Sequence, residues 1–213
     1  MREGATVVSP AAPAASGRDT QGGRPLRADA RRNRTRILDA ADAVFAVKGP
    51  TASTEEIAQR AEVAIGTVFR HFPTKEALVE AVFVGRLDAL AEQARSLAGA
   101  DDPGAAFFAF LTEAVRQSTI KHTFADALAD AGVDLHADGG AVAEATRDLQ
   151  QSIGELLGRA QQAARVRVDI DVRTLIALIA GAAHAIGYVS QDSAVESRVL
   201  AVTFDGLRPP LSP

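Results

Sequence analysis

The chain has 213 residues, room for one large domain or a small one joined to a larger one, and no cysteine, which excludes disulfides and thiolate chemistry and is compatible with a reducing compartment. Hydrophobic residues make up 47%, with Ala, Leu and Val prominent, which favours a helical globular protein. Net charge is −4, but residues 1–75 carry 12 Lys+Arg against 8 Asp+Glu and residues 76–213 carry 11 against 19, so a basic amino-terminal third sits on an acidic body. That split points to a local polyanion contact and argues against indiscriminate coating of nucleic acid.

Residues 1–23 are rich in Ala, Gly, Pro, Ser and Thr without a period, a composition of disorder. Pro10 and Pro13 interrupt any apolar segment there and Arg2 alone would charge its start, so a signal peptide fits poorly. The stretch Arg24–Arg36 holds arginines 24, 27, 31, 32, 34 and 36 against Asp29, a basic arm suited to phosphate or minor-groove contact or, alternatively, a solvated face. A helix follows with Ile37, Ala41, Val44 and Phe45 on one stripe, stopped by Gly49 and Pro50.

From Ser53 to Lys75 the pattern predicts two short helices and a tight turn. Ser53 and Glu56 have the spacing of a capping box, and Ile57, Ala58 and Ala61 give the first helix an apolar face. Glu62, Val63 and Ala64 form the turn, and a second helix from about Ile65 to Phe72 closes at Pro73. Its outward face carries Ile65, Thr67, Arg70 and His71, groups suited to a DNA groove, which reads as a helix-turn-helix or, more plainly, as an ordinary helical hairpin. On the DNA reading Lys75 contacts a phosphate, and Gly66 lets the backbone approach the strand or simply eases helix packing. Arg34, Ser53, Thr54 and Phe69 complete the candidate DNA-contacting set.

Ile57-Ala58, Val63, Gly66-Thr67, Phe69-Arg70-His71-Phe72 and Lys75-Glu76-Ala77-Leu78 resemble the amino-terminal domain of the TetR (tetracycline-repressor-like) family of bacterial regulators, over residues 37–83. Three positions depart from that pattern: Glu62 stands where the family usually has glycine, Ala64 where it often has a hydroxyl cap, and Phe69 where it often has tyrosine, with loss of a phenolic contact to phosphate. The resemblance implies a homodimer on a near-palindromic double-stranded DNA operator, a small-molecule effector, and last two helices that build a four-helix dimer bundle.

Thr74 caps a long helix to about Ala98 with Leu78, Val82, Leu87, Leu90, Ala94 and Leu97 on its buried face, a rod linking the two halves. Asp102-Pro103 starts a helix to about Ser118 carrying Phe107, Phe108, Phe110, Leu111 and Val115. A shorter helix with Phe124, Leu128 and Ala131 then ends at Gly132. After the polar loop Asp134–Gly140, a helix over 141–164 turns Leu149, Ile153, Leu156 and Leu157 inward, and the last two helices span 172–190 and 194–207. The helix over 172–190, apolar nearly all round with small Gly181, Ala182, Ala185 and Gly187, lies either at the centre of the fold or against another subunit.

Five of the nine phenylalanines fall between Phe83 and Phe124, as simple core or as one wall of an apolar cavity. The candidate cavity set is Phe107, Phe108, Leu111, Val115, His122, Phe124, Leu128, Ile153, Leu157 and His184, with core or subunit packing the competing role for both histidines. No G-x-S-x-G, H-E-x-x-H, phosphate-binding glycine loop or Cys/His cluster occurs, so neither catalysis nor a metal or other cofactor is expected. The most apolar run, 175–189, is too short to cross a bilayer, which suits a cytoplasmic protein.

The expected architecture is all-α: a tail over 1–23, a basic arm and helix-turn-helix domain over 24–75, a ligand-binding and dimerisation domain over 76–208, and a loose end over 209–213. The expected function is a DNA-binding transcriptional regulator, a homodimeric repressor relieved by a small apolar or amphipathic ligand. An activator or ligand-independent repressor on the same fold, or a helical ligand-binding protein or enzyme that has lost DNA binding, are the alternatives.

Overall fold

The computed structural model describes residues 23–130, 139–188 and 193–210; residues 1–22, 131–138 with His136, 189–192 and 211–213 lie outside them, and with them most of the expected amino-terminal tail, much of the expected polar loop and most of the expected loose end. Eight α-helices and no strand occur among the described residues: α1 (Gly23–Lys48), α2 (Thr54–Arg60), α3 (Ile65–His71), α4 (Lys75–Ala98), α5 (Pro103–Asp130), α6 (Ala141–Gln162), α7 (Val172–Tyr188) and α8 (Ser193–Leu207).

The arginine-rich stretch is not a separate arm. It forms the first turns of α1, because Pro25 stands where a missing N–H has no helical partner to lose and no breaker follows before Gly49. The helical register brings Arg31 and Arg34 to one face, where both are exposed. Farther along, Ile37, Ala41, Val44 and Phe45 are buried against the next helices, and Gly49 at φ 73° ends α1.

Helix α5 also differs from expectation: it runs unbroken through residues 118–124, where two helices were predicted. The intervening Ser118 to Thr123 have modest helix propensity but include neither Gly nor Pro, and Phe124 and Leu128 anchor the second half in the core. Asp102 caps its start by accepting from the amides of Gly104 and Ala105 at 3.0 Å each.

One continuous apolar core runs from α1 through α4 into α5, α6 and α7. Helix α4, capped by Thr74 accepting from Ala77 N–H at 3.1 Å, contributes Leu78, Val82, Leu87, Leu90 and Ala94 to it and packs against α1, α5 and α6. Arg95 crosses from α4 to α6, donating to Asp148 at 2.8 Å and to the buried Ser152 hydroxyl at 3.0 Å. Helix α7 buries Leu175, Ile179, Ala182 and Ala183 but leaves Leu178, Gly181, His184 and Ala185 exposed, so the described residues cover one face of it.

Candidate nucleic-acid interface

Helix α2 starts without the anticipated capping box. The Ser53 hydroxyl accepts from the Glu55 amide at 3.1 Å and donates to the Glu55 carboxylate, which it holds below the ordinary carboxylate range. Glu56 instead pairs with Lys48 at 2.7 Å, because a cation at the end of α1 outcompetes the neutral Ser53 N–H for the carboxylate. The helix closes with a Schellman pair, Glu62 N–H to Gln59 O at 3.1 Å and Val63 N–H to Ala58 O at 3.0 Å. Glu62 therefore sits in the left-handed region, φ 53°, which explains the glycine the resembled pattern has there. Its carboxylate accepts from Arg36 at 2.8 Å, tying the turn to α1.

Helix α3 lacks a side-chain cap at Ala64 and starts on backbone bonds alone, Thr67 N–H to Ala64 O at 2.8 Å. Buried Val68 and Phe72 pin it to the core, and this fixes what faces out: Ile65, Gly66, Phe69 and Arg70 are exposed, Thr67 and His71 half-buried. A Cβ added at Gly66 would meet nothing within 4 Å among the described residues, so no packing there calls for glycine, although it costs a helix about 1 kcal/mol relative to alanine.

The other candidates divide. The Arg34 guanidinium lies 5.1 Å from the centre of the Phe72 ring, which brings the arginine face of α1 beside the end of α3. Half-buried Lys75 donates to the Thr51 carbonyl at 2.8 Å, fastening α4 to the α1–α2 turn. Ser53 is exposed but engaged as the cap, and Thr54 does not join the outward face, being only 8% exposed.

The residues considered for an effector cavity are placed less uniformly. Phe107, Leu111, Val115, Phe124, Leu128, Ile153 and Leu157 are buried. Phe108 turns toward α8, 5.1 Å from Phe204 with the Arg208 guanidinium over its ring, and His184 is exposed on α7. The His122 side chain lies outside the described residues. Sequence reasoning missed a cleft of about 360 Å³ at the seam of α1, α4 and α5, lined by Asp42, Phe83, Arg86, Leu90 and Gln117 among others. Its residues come from three helices far apart in sequence, and no local motif announces it.

Comparison with known proteins agrees with this geometry. Residues 37–82 match the family model described as "Bacterial regulatory proteins, tetR family", and residues 102–209 match "Transcriptional regulator SbtR-like, C-terminal domain". The fold is similar to the TetR transcription regulatory protein from Mycobacterium vanbaalenii, with 42% identity and a TM-score of 0.70, covering 87% of this chain and 100% of that one. It is also similar to the TetR transcriptional regulator SCO0520 from Streptomyces coelicolor, with 32% identity and a TM-score of 0.66, covering 83% and 98% of the two chains. The HTH-type transcriptional regulator UidR of Escherichia coli (strain K12) is 33% identical over 93 residues, 42% of this chain and 44% of that protein, so the match spans less than half of the curated relative.

Proposed function

The chain belongs to the TetR family of bacterial transcriptional regulators, and from that footing we propose that it is a homodimeric, cytoplasmic repressor released from its operator by a small apolar or amphipathic ligand. The observation that carries this reading is the outward face of α3, where a helix pinned by Val68 and Phe72 presents Ile65, Gly66, Phe69 and Arg70 next to the face of α1 that carries exposed Arg31 and Arg34. Such a face is uncovered among the described residues and matches a reading helix flanked by phosphate-seeking cations. Ile65, Gly66, Thr67, Phe69 and His71 are assigned to the groove, and Arg34, Ser53, Arg70 and Lys75 to the sugar-phosphate strands.

Two copies joined through α7 and α8 would present two reading helices related by a two-fold axis, and hence favour a near-palindromic site with half-sites about 34 Å apart or a multiple of that. The exposed strip of Leu178, Gly181 and Ala185 on α7, with exposed Val202 on α8, supports that contact. The effector is assigned to the body between α4, α5 and α6, where Leu111 and Ile153 are buried. No described helix is long and apolar enough to cross a membrane.

The test is a gel-shift titration of the purified chain against DNA flanking its own gene, with a scrambled duplex of equal length as control. Preferential binding that weakens steeply with salt is expected. Equal binding to both duplexes would remove the operator reading. Leu111→Trp and Ile153→Phe should leave DNA binding intact and abolish the response to any ligand that releases the parent chain; loss of cooperative melting in both would instead mark a closed core.

A further inference from the structure

Large apolar side chains are costly to leave in water, yet Ile65 is 38% and Phe69 44% exposed on α3. Four residues apart on a helix, at about 100° per residue, they lie within about 40° of each other and form one ridge. Gly66 follows as a notch beside that ridge, with no atom of the described residues beyond its own helix backbone and chain neighbours within 4 Å of where its Cβ would be. Arg70 flanks the notch on its other side and is exposed. The surface is therefore half apolar and half cationic, with room for a neighbour to come close. Phe69 has no hydroxyl, so its ring can donate no hydrogen bond to a phosphate or a base.

A partner that is polyanionic and also displays small apolar groups in a groove is double-stranded DNA containing thymine, whose 5-methyl group is the one apolar feature of the major-groove edges. We propose that Ile65 and Phe69 are specificity-determining residues that read thymine methyl groups in each half-site, with Gly66 admitting the strand closely enough for the contact to form. This rests on the operator-binding reading given above and adds the base identity to it.

The experiment selects preferred duplexes from a random-sequence pool with the full chain, then replaces each thymine of the selected site in turn by deoxyuridine, which deletes the methyl and keeps every hydrogen-bonding group. At one or two positions in each half-site the substitution should weaken binding about fourfold, the effect of losing one methyl-sized contact. Ile65→Ala or Phe69→Ala should bind the thymine and uracil duplexes alike at the position that each residue reads. Both side chains are exposed, so melting temperatures of the two variants should match the parent; Ile65→Val and Phe69→Leu should keep part of the discrimination. Selected sites indifferent to uracil at every position, or a uracil penalty that survives in both alanine variants, would overturn the inference while leaving operator binding in place. A pool yielding no preferred sequence would overturn the operator reading and this inference with it.

Discussion

The Arg86 guanidinium lies 4.6 Å from the centre of the Phe124 ring, so a cation of α4 caps an aromatic side chain of α5. Arg86 Nε also donates to Asp42 of α1 at 2.5 Å, and the same Phe124 ring meets Phe45 edge-on at 5.6 Å and stacks on Phe83 at 6.4 Å. Three helices thus converge on one side chain at the seam between the reading unit and the body. Arg86→Met keeps the apolar stem and removes the charge. A desolvated cation–π contact contributes up to ~2 kcal/mol and a partly exposed ion pair ~0–1 kcal/mol. Urea unfolding should show a loss of about 1–2 kcal/mol for Arg86→Met and less than about 1 kcal/mol for Asp42→Asn. Equal losses would place the energy in the ion pair and not in the ring contact.

Ala164 repeats at the end of α6 what Glu62 does at the end of α2. Its N–H reaches Gln161 O at 2.9 Å, Arg165 N–H reaches Ala160 O at 2.9 Å, and its φ is 53°. A Cβ in the left-handed region costs ~1 kcal/mol or more, and glycine removes that strain. Ala164→Gly should raise the melting midpoint by about 2–4 °C for a chain of this size. Glu62→Gly should gain less, because it also loses the carboxylate that Arg36 holds. A lower midpoint for Ala164→Gly would show that the backbone there is relaxed.

Acid should weaken the fold through its helix caps. The Ala105 amide, with that of Gly104, holds the Asp102 carboxyl below its ordinary value of 3.8, and the Thr174 amide at 2.7 Å does the same for Asp171. A depressed folded value means that the unfolded chain binds more protons in the acid range. The stabilisation is complete above about pH 5 and is lost as pH falls through the ordinary carboxyl range toward the folded values. Asp102→Asn retains an oxygen that can cap but no longer titrates. Its denaturant midpoint should fall less than the parent's between pH 7 and pH 4; an identical fall would assign the acid sensitivity elsewhere.

Ala185 lies exposed on α7 in line with Leu178 and Gly181. Ala185→Glu should therefore leave the single chain folded and melting cooperatively. If α7 packs on a second copy, the new carboxylate is buried without a partner, a cost of about 3–5 kcal/mol. Sedimentation should then report monomers with weak operator binding. A dimer that survives the substitution would move the contact to another surface.

What the residues disclosed, and what they withheld, follows from the range of the interactions involved. The boundaries of α4 were legible because Thr74 and Gly99 act within one turn of the helix they delimit. The helix-turn-helix was legible because Ile57, Ala58 and Ala61 share one helical face, a short turn follows, and Pro73 closes the second helix. Ser53 and Glu56 misled because capping spacing says nothing of Lys48, which approaches from α1 and takes the carboxylate. The unbroken α5 was missed because weak helix formers over 118–123 read as an interruption, while the packing of Phe124 and Leu128 that overrides them is tertiary. Arg34 on Phe72 and Arg86 on Phe124 join residues distant along the chain, and neither position carries a local sign of its partner.

The 24 residues of α4 make a rod of about 36 Å, fixed at one end to the α1–α2 turn by Lys75 and packed against α6, to which Arg95 near its other end donates. As a lever of that length, it carries its near end through about 3 Å for a tilt of about 5° at the far end, close to the ~3.4 Å that separates successive base pairs. If α3 lies in the groove as proposed, such a tilt would displace it by about one base step. In the proposed dimer, two such levers tilting in opposite senses would double the mismatch, and no helix would need to unfold.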